Sequence, residues 1–245
     1  MESTMLCGVP HWPLREPVEG AYLPPWPERF RQTPPPRNRQ LWELWGVDHG
    51  FLRAISPNLH RLSEKMYRSS QPAPYQIARL ARRGIRTIVN LRGQRDCGSY
   101  YLELEACRKH GIELVNFRVK SREAPDRDTV YGARALFEQI EYPAVMHCKS
   151  GADRAGIASV LYLFLHEGRP MEEARRQLSW RYGHIRQSKT GVLDYFVERY
   201  LADRNATGIG FWDWVDTRLD PAQFREDFKS RKWADVITDD ILDRE

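Results

Sequence analysis

The chain has 245 residues, 41% hydrophobic and 29% charged, with a formal net charge of +5. That composition suits a folded domain with a sizeable core and excludes a low-complexity or disordered chain. The positive surplus favours anionic partners, but no basic run alternates with aromatic residues, so nucleic acid is not expected.

Residues 1–40 are crowded with proline, as in Pro24-Pro25 and Pro34-Pro35-Pro36, and cannot propagate helix or central strand. Trp12, Tyr22, Trp26 and Phe30 interrupt the run, so an extended arm pinned to the domain by its rings is expected. Leu41 to Ile55 adds a short helix, and residues 58–62 lead into the folded body. Lys65 to Ser69 reads as a first strand, stopped by Gln71-Pro72. Pro74 to Arg83 has helical spacing, with proline at its start and Gly84 at its end. The β-branched run Ile85 to Leu91 reads as a core strand. Tyr100 to His110 is a second helix, ended by Gly111, and Ile112 to Val119 alternates as a third strand.

The loop Lys120–Asp128 and a helix from Thr129 to Ile140 follow, then a short apolar strand from Ala144 to His147. Helices are expected over Arg154–Glu167, Met171–Trp180 and Gly191–Arg204. Strands alternating with helices argue an α/β fold with a mainly parallel central sheet flanked by helices. The expected organisation is an N-terminal arm over 1–60, a central domain over 61–205 and a helical, aromatic-rich extension over 206–245. The longest apolar run, Ile157 to Leu165, is too short to span a bilayer, and the N-terminus has no basic stretch leading into an apolar core. Both point to a cytoplasmic location.

The chemistry concentrates after the fourth expected strand. His147-Cys148 is followed by a loop through Gly151 and by Arg154 at the start of a helix. Helix N-termini present backbone N–H groups to anions, thiolates are nucleophiles favoured by such surroundings, and arginine clamps two phosphate oxygens at once. His147-Cys148-Lys149-Ser150-Gly151-Ala152-Asp153-Arg154 resembles the His-Cys-x5-Arg signature of cysteine-dependent protein tyrosine and dual-specificity phosphatases. Ser69-Ser70-Gln71-Pro72, Asn90-Leu91-Arg92-Gly93 and Arg181-Tyr182-Gly183-His184 look like motifs of a bacterial dual-specificity-like branch, although a strand end, a turn and a helix C-terminus would explain them equally well. The layout match spans roughly residues 64–203.

The resemblance implies hydrolysis of a phosphomonoester through a phosphocysteine, with no metal or other cofactor. Cys148 would be the nucleophile, Arg154 and the backbone from Lys149 to Arg154 the phosphate cradle, and His147 the residue orienting the loop. Two departures stand out. Ala155 occupies the place where the family commonly has a Ser or Thr that helps the cysteine leave. The loop that should hold the general acid has no Trp-Pro-Asp sequence. It offers Asp126, the first choice, beside Asp128, which could instead cap the next helix, and Glu123. Expected substrates are phosphorylated proteins. Asp153 and Lys149 leave phosphoinositide, lipid or inositol phosphates open, and with them peripheral contact with anionic lipid. The rival reading is a catalytically weak phosphate-binding module that recruits partners through its aromatic termini. The remaining cysteines, Cys7, Cys97 and Cys107, form no CxxC pair or zinc spacing with Cys148.

Overall fold

The computed structural model describes residues 35–47 and 57–230. A short helix α1 (Arg37–Trp42) continues as one wider turn over Glu43–Val47. It begins inside the expected arm; the arm up to residue 34 and the rest of the expected Leu41–Ile55 helix lie outside the described residues. Five strands form one sheet: β1 (His60–Arg61), β2 (Met66–Ser70), β3 (Thr87–Asn90), β4 (Glu113–Asn116) and β5 (Ala144–Cys148). Their order is β1-β2-β5-β3-β4, with β1 antiparallel to β2 and every other pairing parallel. The mainly parallel α/β sheet expected from the sequence is therefore present, with β5 at its centre. The edge strand β1 was not expected; two residues are too few to show a period.

Helices α2 (Pro74–Arg82) and α3 (Gly98–His110) lie on one face of the sheet. The other face carries α4 (Arg127–Gln139), α5 (Asp153–Leu161, with a wide last turn to His166) and α7 (Val192–Thr207). Because strand side chains alternate, Val145 packs with Ile77 and Ile88 under α2 and α3, while Met146 and Cys148 face the α5 side. His147 consequently points toward α3. Ligands of parallel sheets gather beyond the C-terminal strand ends, and Cys148 is the last residue of the central strand.

The expected helix over Met171–Trp180 breaks. Only α6 (Met171–Ala174) is α-helical, a tighter turn follows over Arg175–Gln177, and Trp180–Tyr182 forms a separate turn ended by Gly183 in the left-handed region. After α7, helix α8 (Phe211–Thr217) and helix α9 (221–230) fold back on the body. Trp214 is fully buried against Phe196 and Tyr200, and its indole N–H donates to Asp203 at 2.8 Å. No helix among the described residues is long and apolar enough to cross a membrane.

Candidate active site

The loop between β5 and α5 is held by its carbonyl oxygens. His147 Nδ1 donates to the Cys148 carbonyl at 3.3 Å. Gln71 N–H donates to Lys149 O at 3.3 Å, and Asn58 Nδ2 to Ser150 O at 2.9 Å. One Arg68 nitrogen reaches both Gly151 O and Ala152 O, at 2.7 and 3.0 Å. Five successive carbonyls are thus turned outward. In planar trans peptides the N–H groups then face the opposite way, into a ring around the cysteine. Gly151 N–H already donates to Cys148 Sγ at 3.2 Å. Such a ring of donors at a helix N-terminus is an anion cradle.

Arg68 does most of this work. It comes from the middle of β2, is fully buried, lies 4.2 Å from the Tyr182 ring centre and anchors its other nitrogen on Gln177. Burial lowers its guanidinium to about 10, partly offset by the fields of Cys148, Tyr182 and Asp153. Nothing in the sequence marked this arginine except a charge in an otherwise buried strand.

His147 is fully buried, and its Nε2 lies 2.6 Å from Glu103 Oε1 of α3, itself fully buried. The contact is close but off the hydrogen-bonding direction, since neither atom has a well-aligned partner. Glu103 Oε2 accepts from Gln71 Nε2 at 2.8 Å, and Gln71 Oε1 accepts from Arg92. A buried chain Arg92–Gln71–Glu103–His147 therefore backs Cys148. Two of the weak sequence motifs supply Gln71 and Arg92; Glu103 escaped notice because it resembles any charged helix residue.

The predicted phosphate ligands lie together. Lys149 is half-buried at the rim, Ser150 exposed, Gly151 and Ala152 buried, and Asp153 and Arg154 open the first turn of α5. Burial lowers Arg154, the negative charge of Cys148 opposes that, and nearby Arg92 and Arg95 reinforce it. Asp153 is engaged: its Oδ1 binds His184 Nδ1 at 2.8 Å, while His184 Nε2 binds Asp194 at 2.6 Å. Burial works against charge on His184, but the two carboxylates outweigh it and raise the ring to about 9. The Arg181–His184 motif is thus a turn locked to the phosphate loop rather than a helix end.

A raised histidine stabilises the fold fully below its unfolded value of about 6.5, and that contribution disappears as pH rises through about 9. The thermal midpoint should therefore fall between these limits in wild type. In His184→Gln the fall should be smaller, as read by calorimetry at a series of pH values.

The acidic loop is arranged differently from the sequence reading. Helix α4 starts two residues earlier than expected, and Asp126, not Asp128, is its N-cap: Oδ1 accepts from Thr129 N–H at 2.8 Å and from its hydroxyl at 2.5 Å. Asp128 is exposed in the first turn. A hydrogen bond from Lys120, 2.8 Å away, holds Glu123 below the usual carboxylate range. Ala155 is fully buried, and among the described residues the one hydrogen bond reaching Cys148 Sγ comes from Gly151. Cys107 is buried in the α3 face, which pushes its thiol up. No group of three or more His, Cys, Asp or Glu side chains among the described residues is placed to hold a metal ion.

Residues 54–190 match the model of a family described as a DSP-PTPase phosphatase fused to NAD+ kinase. The dual specificity protein phosphatase TpbA of Pseudomonas aeruginosa (strain UCBPP-PA14) is 26% identical over 164 residues, which is 66% of this chain and 67% of that protein. Inositol diphosphatase DSP5 of Arabidopsis thaliana is 29% identical over 107 residues, 41% of this chain and 50% of that protein. The crystal structure of P. aeruginosa TpbA superposes with a TM-score of 0.48 at 21% identity, covering 63% of this chain and 93% of that one.

Proposed function

The chain belongs to the dual-specificity-type phosphatase family of that model, and from this premise we propose that it hydrolyses phosphomonoesters, chiefly on phosphorylated proteins, through a phosphocysteine. The observation that carries the reading is the loop itself: five carbonyls tied outward around Cys148, with Arg154 opening the following helix. In the proposed cycle the Cys148 thiolate forms the S–P bond as the ester P–O bond breaks. Arg154 and the inward N–H groups hold the equatorial oxygens, and a carboxylic acid gives its proton to the leaving oxygen. Water then attacks the phosphocysteine, releasing inorganic phosphate and restoring the thiolate. His147, fixed between Glu103 and the Cys148 carbonyl, keeps the loop in place.

The experiment is turnover of p-nitrophenyl phosphate with an acid quench. Phosphate should be captured on the peptide containing Cys148, and because Ala155 brings no hydroxyl to the sulfur, rapid mixing should show a burst of product. Ala155→Ser should shorten the life of the intermediate and raise steady-state turnover. Capture on any other residue would exclude the mechanism.

Asp126 is the proposed acid, donating from Oδ2, since Oδ1 is occupied by the cap. Proton donation matters most for poor leaving groups. Asp126→Asn should therefore slow tyrosyl or alkyl phosphates about 10²-fold or more while sparing activated aryl phosphates. The high-pH limb of the rate profile should go with it. Asparagine caps a helix about as well as aspartate, so the cap on the Thr129 N–H is kept and the rates compare directly. If Asp128→Asn or Glu123→Gln shows the leaving-group effect instead, the acid is reassigned.

A second reading, hydrolysis of inositol phosphates or phosphoinositides, draws on the cluster of Arg92 and Arg95 beside Arg154. A polyanion suits three guanidinium groups better than one phosphate does. Relative kcat/KM for a phosphotyrosyl peptide and an inositol polyphosphate decides between them.

A further inference from the structure

The helices after residue 207 lie outside the stretch matched by the family model and take no part in the proposed cycle. They nevertheless meet the acid loop at both of its ends. Helix α8 is fixed to the body, with Trp214 and Val215 fully buried and Phe211 buried beside them. Trp212 and Asp216, one turn apart, share the face of α8 that meets α4. On α4 the matching stripe is Arg127, Tyr131 and Arg134. Arg127 Nε donates to Asp216 Oδ1 at 2.7 Å, and the Tyr131 hydroxyl donates to the same carboxylate, 3.1 Å from each oxygen. The Trp212 ring centre lies 4.9 Å from that of Tyr131 and 5.2 Å from the Arg134 guanidinium. At the other end of the loop Glu123, lowered first by its hydrogen bond from Lys120, also feels the charge of Arg225 from α9.

The first N–H groups of a helix have no partner one turn back, so the shape of its first turn depends on the cap and on side-chain ties. In α4 the two are coupled. Asp126 Oδ1 is aimed by Thr129, which stands in that turn, so the direction of Oδ2 follows the turn. Arg127 opens the turn, Tyr131 lies one turn further on, and Asp216 holds both. Its hydrogen bond and then its charge raise Arg127, while burial and then Asp216 raise Tyr131. A cation and a protonated hydroxyl therefore face the carboxylate at neutral pH. Exposed ion pairs add little to stability, so what this one supplies is direction.

We propose that Asp216 is a positioning residue for the acid: by clamping Arg127 and Tyr131 it fixes the first turn of α4, and with it the line along which Asp126 delivers its proton to the leaving oxygen. The inference rests on the phosphatase reading and on Asp126 as its acid. It gives the C-terminal helices a part in the reaction, exerted only through α4.

The test measures kcat/KM of the full chain, which reads formation of the phosphocysteine, for phenyl phosphate and for p-nitrophenyl phosphate over a series of pH values. Competitive inhibition by inorganic phosphate measures binding separately. In Asp216→Ala, kcat/KM for phenyl phosphate should fall about tenfold, and the high-pH limb of its profile should flatten. The p-nitrophenyl ester should lose less than about twofold, and inhibition by phosphate should not change. Arg127→Gln/Tyr131→Phe removes the same clamp from the α4 side and should reproduce the selective loss. Added to Asp126→Asn, Asp216→Ala should cost nothing further, because there is no acid left to aim. An equal loss on both esters, weaker inhibition by phosphate, or an additive effect on Asp126→Asn overturns the proposal. So does an Asp216→Ala chain without effect while Asp126→Asn keeps its leaving-group dependence, and in that case the phosphatase reading stands. If Asp126→Asn is itself silent, the assignment of the acid fails and takes the clamp with it.

Discussion

Replacing Cys148 by serine is expected to abolish turnover of every phosphomonoester, by on the order of 10⁴-fold or more, while binding of the ester survives. The two halves of that result have separate origins. In the proposed mechanism hydrolysis needs sulfur to form the S–P bond, and a serine hydroxyl remains protonated in the same cradle. Binding depends on N–H groups whose direction is set by Arg68, Asn58, Gln71 and His147 acting on carbonyls, none of them through Sγ. Arg154→Lys should fail on both counts, by about 10²–10³-fold in kcat, because an ammonium cannot reproduce the planar fork. Stopped-flow assays for turnover and calorimetric titration with a phosphotyrosyl peptide check the pair. Activity retained in Cys148→Ser would remove the phosphocysteine mechanism altogether.

Gly151→Ala should lose phosphate binding and stability together. Gly151 sits at φ +77°, and a Cβ there would lie 2.8 Å from the Ser69 carbonyl carbon and the Ser70 nitrogen, and 2.9 Å from Asn58 Nδ2. The left-handed conformation alone costs about 1–2 kcal/mol. The overlap adds about 1–3 kcal/mol, because the opposing backbone is β2, registered Ser69 to His147 and Ser70 to Cys148, and cannot retreat. Gly84→Ala is the matched control: φ is +81°, but nothing lies within 4 Å of the new Cβ. It should lower the thermal midpoint slightly and leave kcat/KM alone. If Gly151→Ala behaves like Gly84→Ala in both measurements, the loop is not held as described.

What could be read from the sequence follows how local each determinant is. The β-branched run before Asn90 and the apolar run before His147 declare core strands by themselves, and Gly111 ends α3 in the left-handed region as its type suggests. The proximity of Cys148 to Arg154 follows from spacing along one strand, loop and helix. The break after Ala174 does not. Its residues suit a helix, but Arg68 draws the Gln177 carbonyl and side chain toward β2, and Leu178 tucks against Gly156. Asp126 and Asp128 are equally good caps in sequence; packing of Val130 and Ala133 into the core sets the phase that selects Asp126. Glu103 and Glu105 share a helix and a chemistry, and only the fold buries one against His147 and leaves the other at the surface.

The carbonyl ties of the phosphate loop carry a consequence for the order in which the protein is made. Asn58 and Arg68 reach the loop across 92 and 83 residues, and Arg68 and Asn58 in turn depend on Gln177 and Tyr182, 109 and 124 residues away. A chain emerging from the ribosome exposes Cys148 some thirty positions before the last of these supports exists. Until Gln177, Tyr182 and His184 have followed, the side chains that aim the loop's N–H groups inward are not themselves held. The nascent Cys148 should therefore behave as an ordinary thiol, and the proposed phosphate chemistry should switch on only when the final turn locks into place.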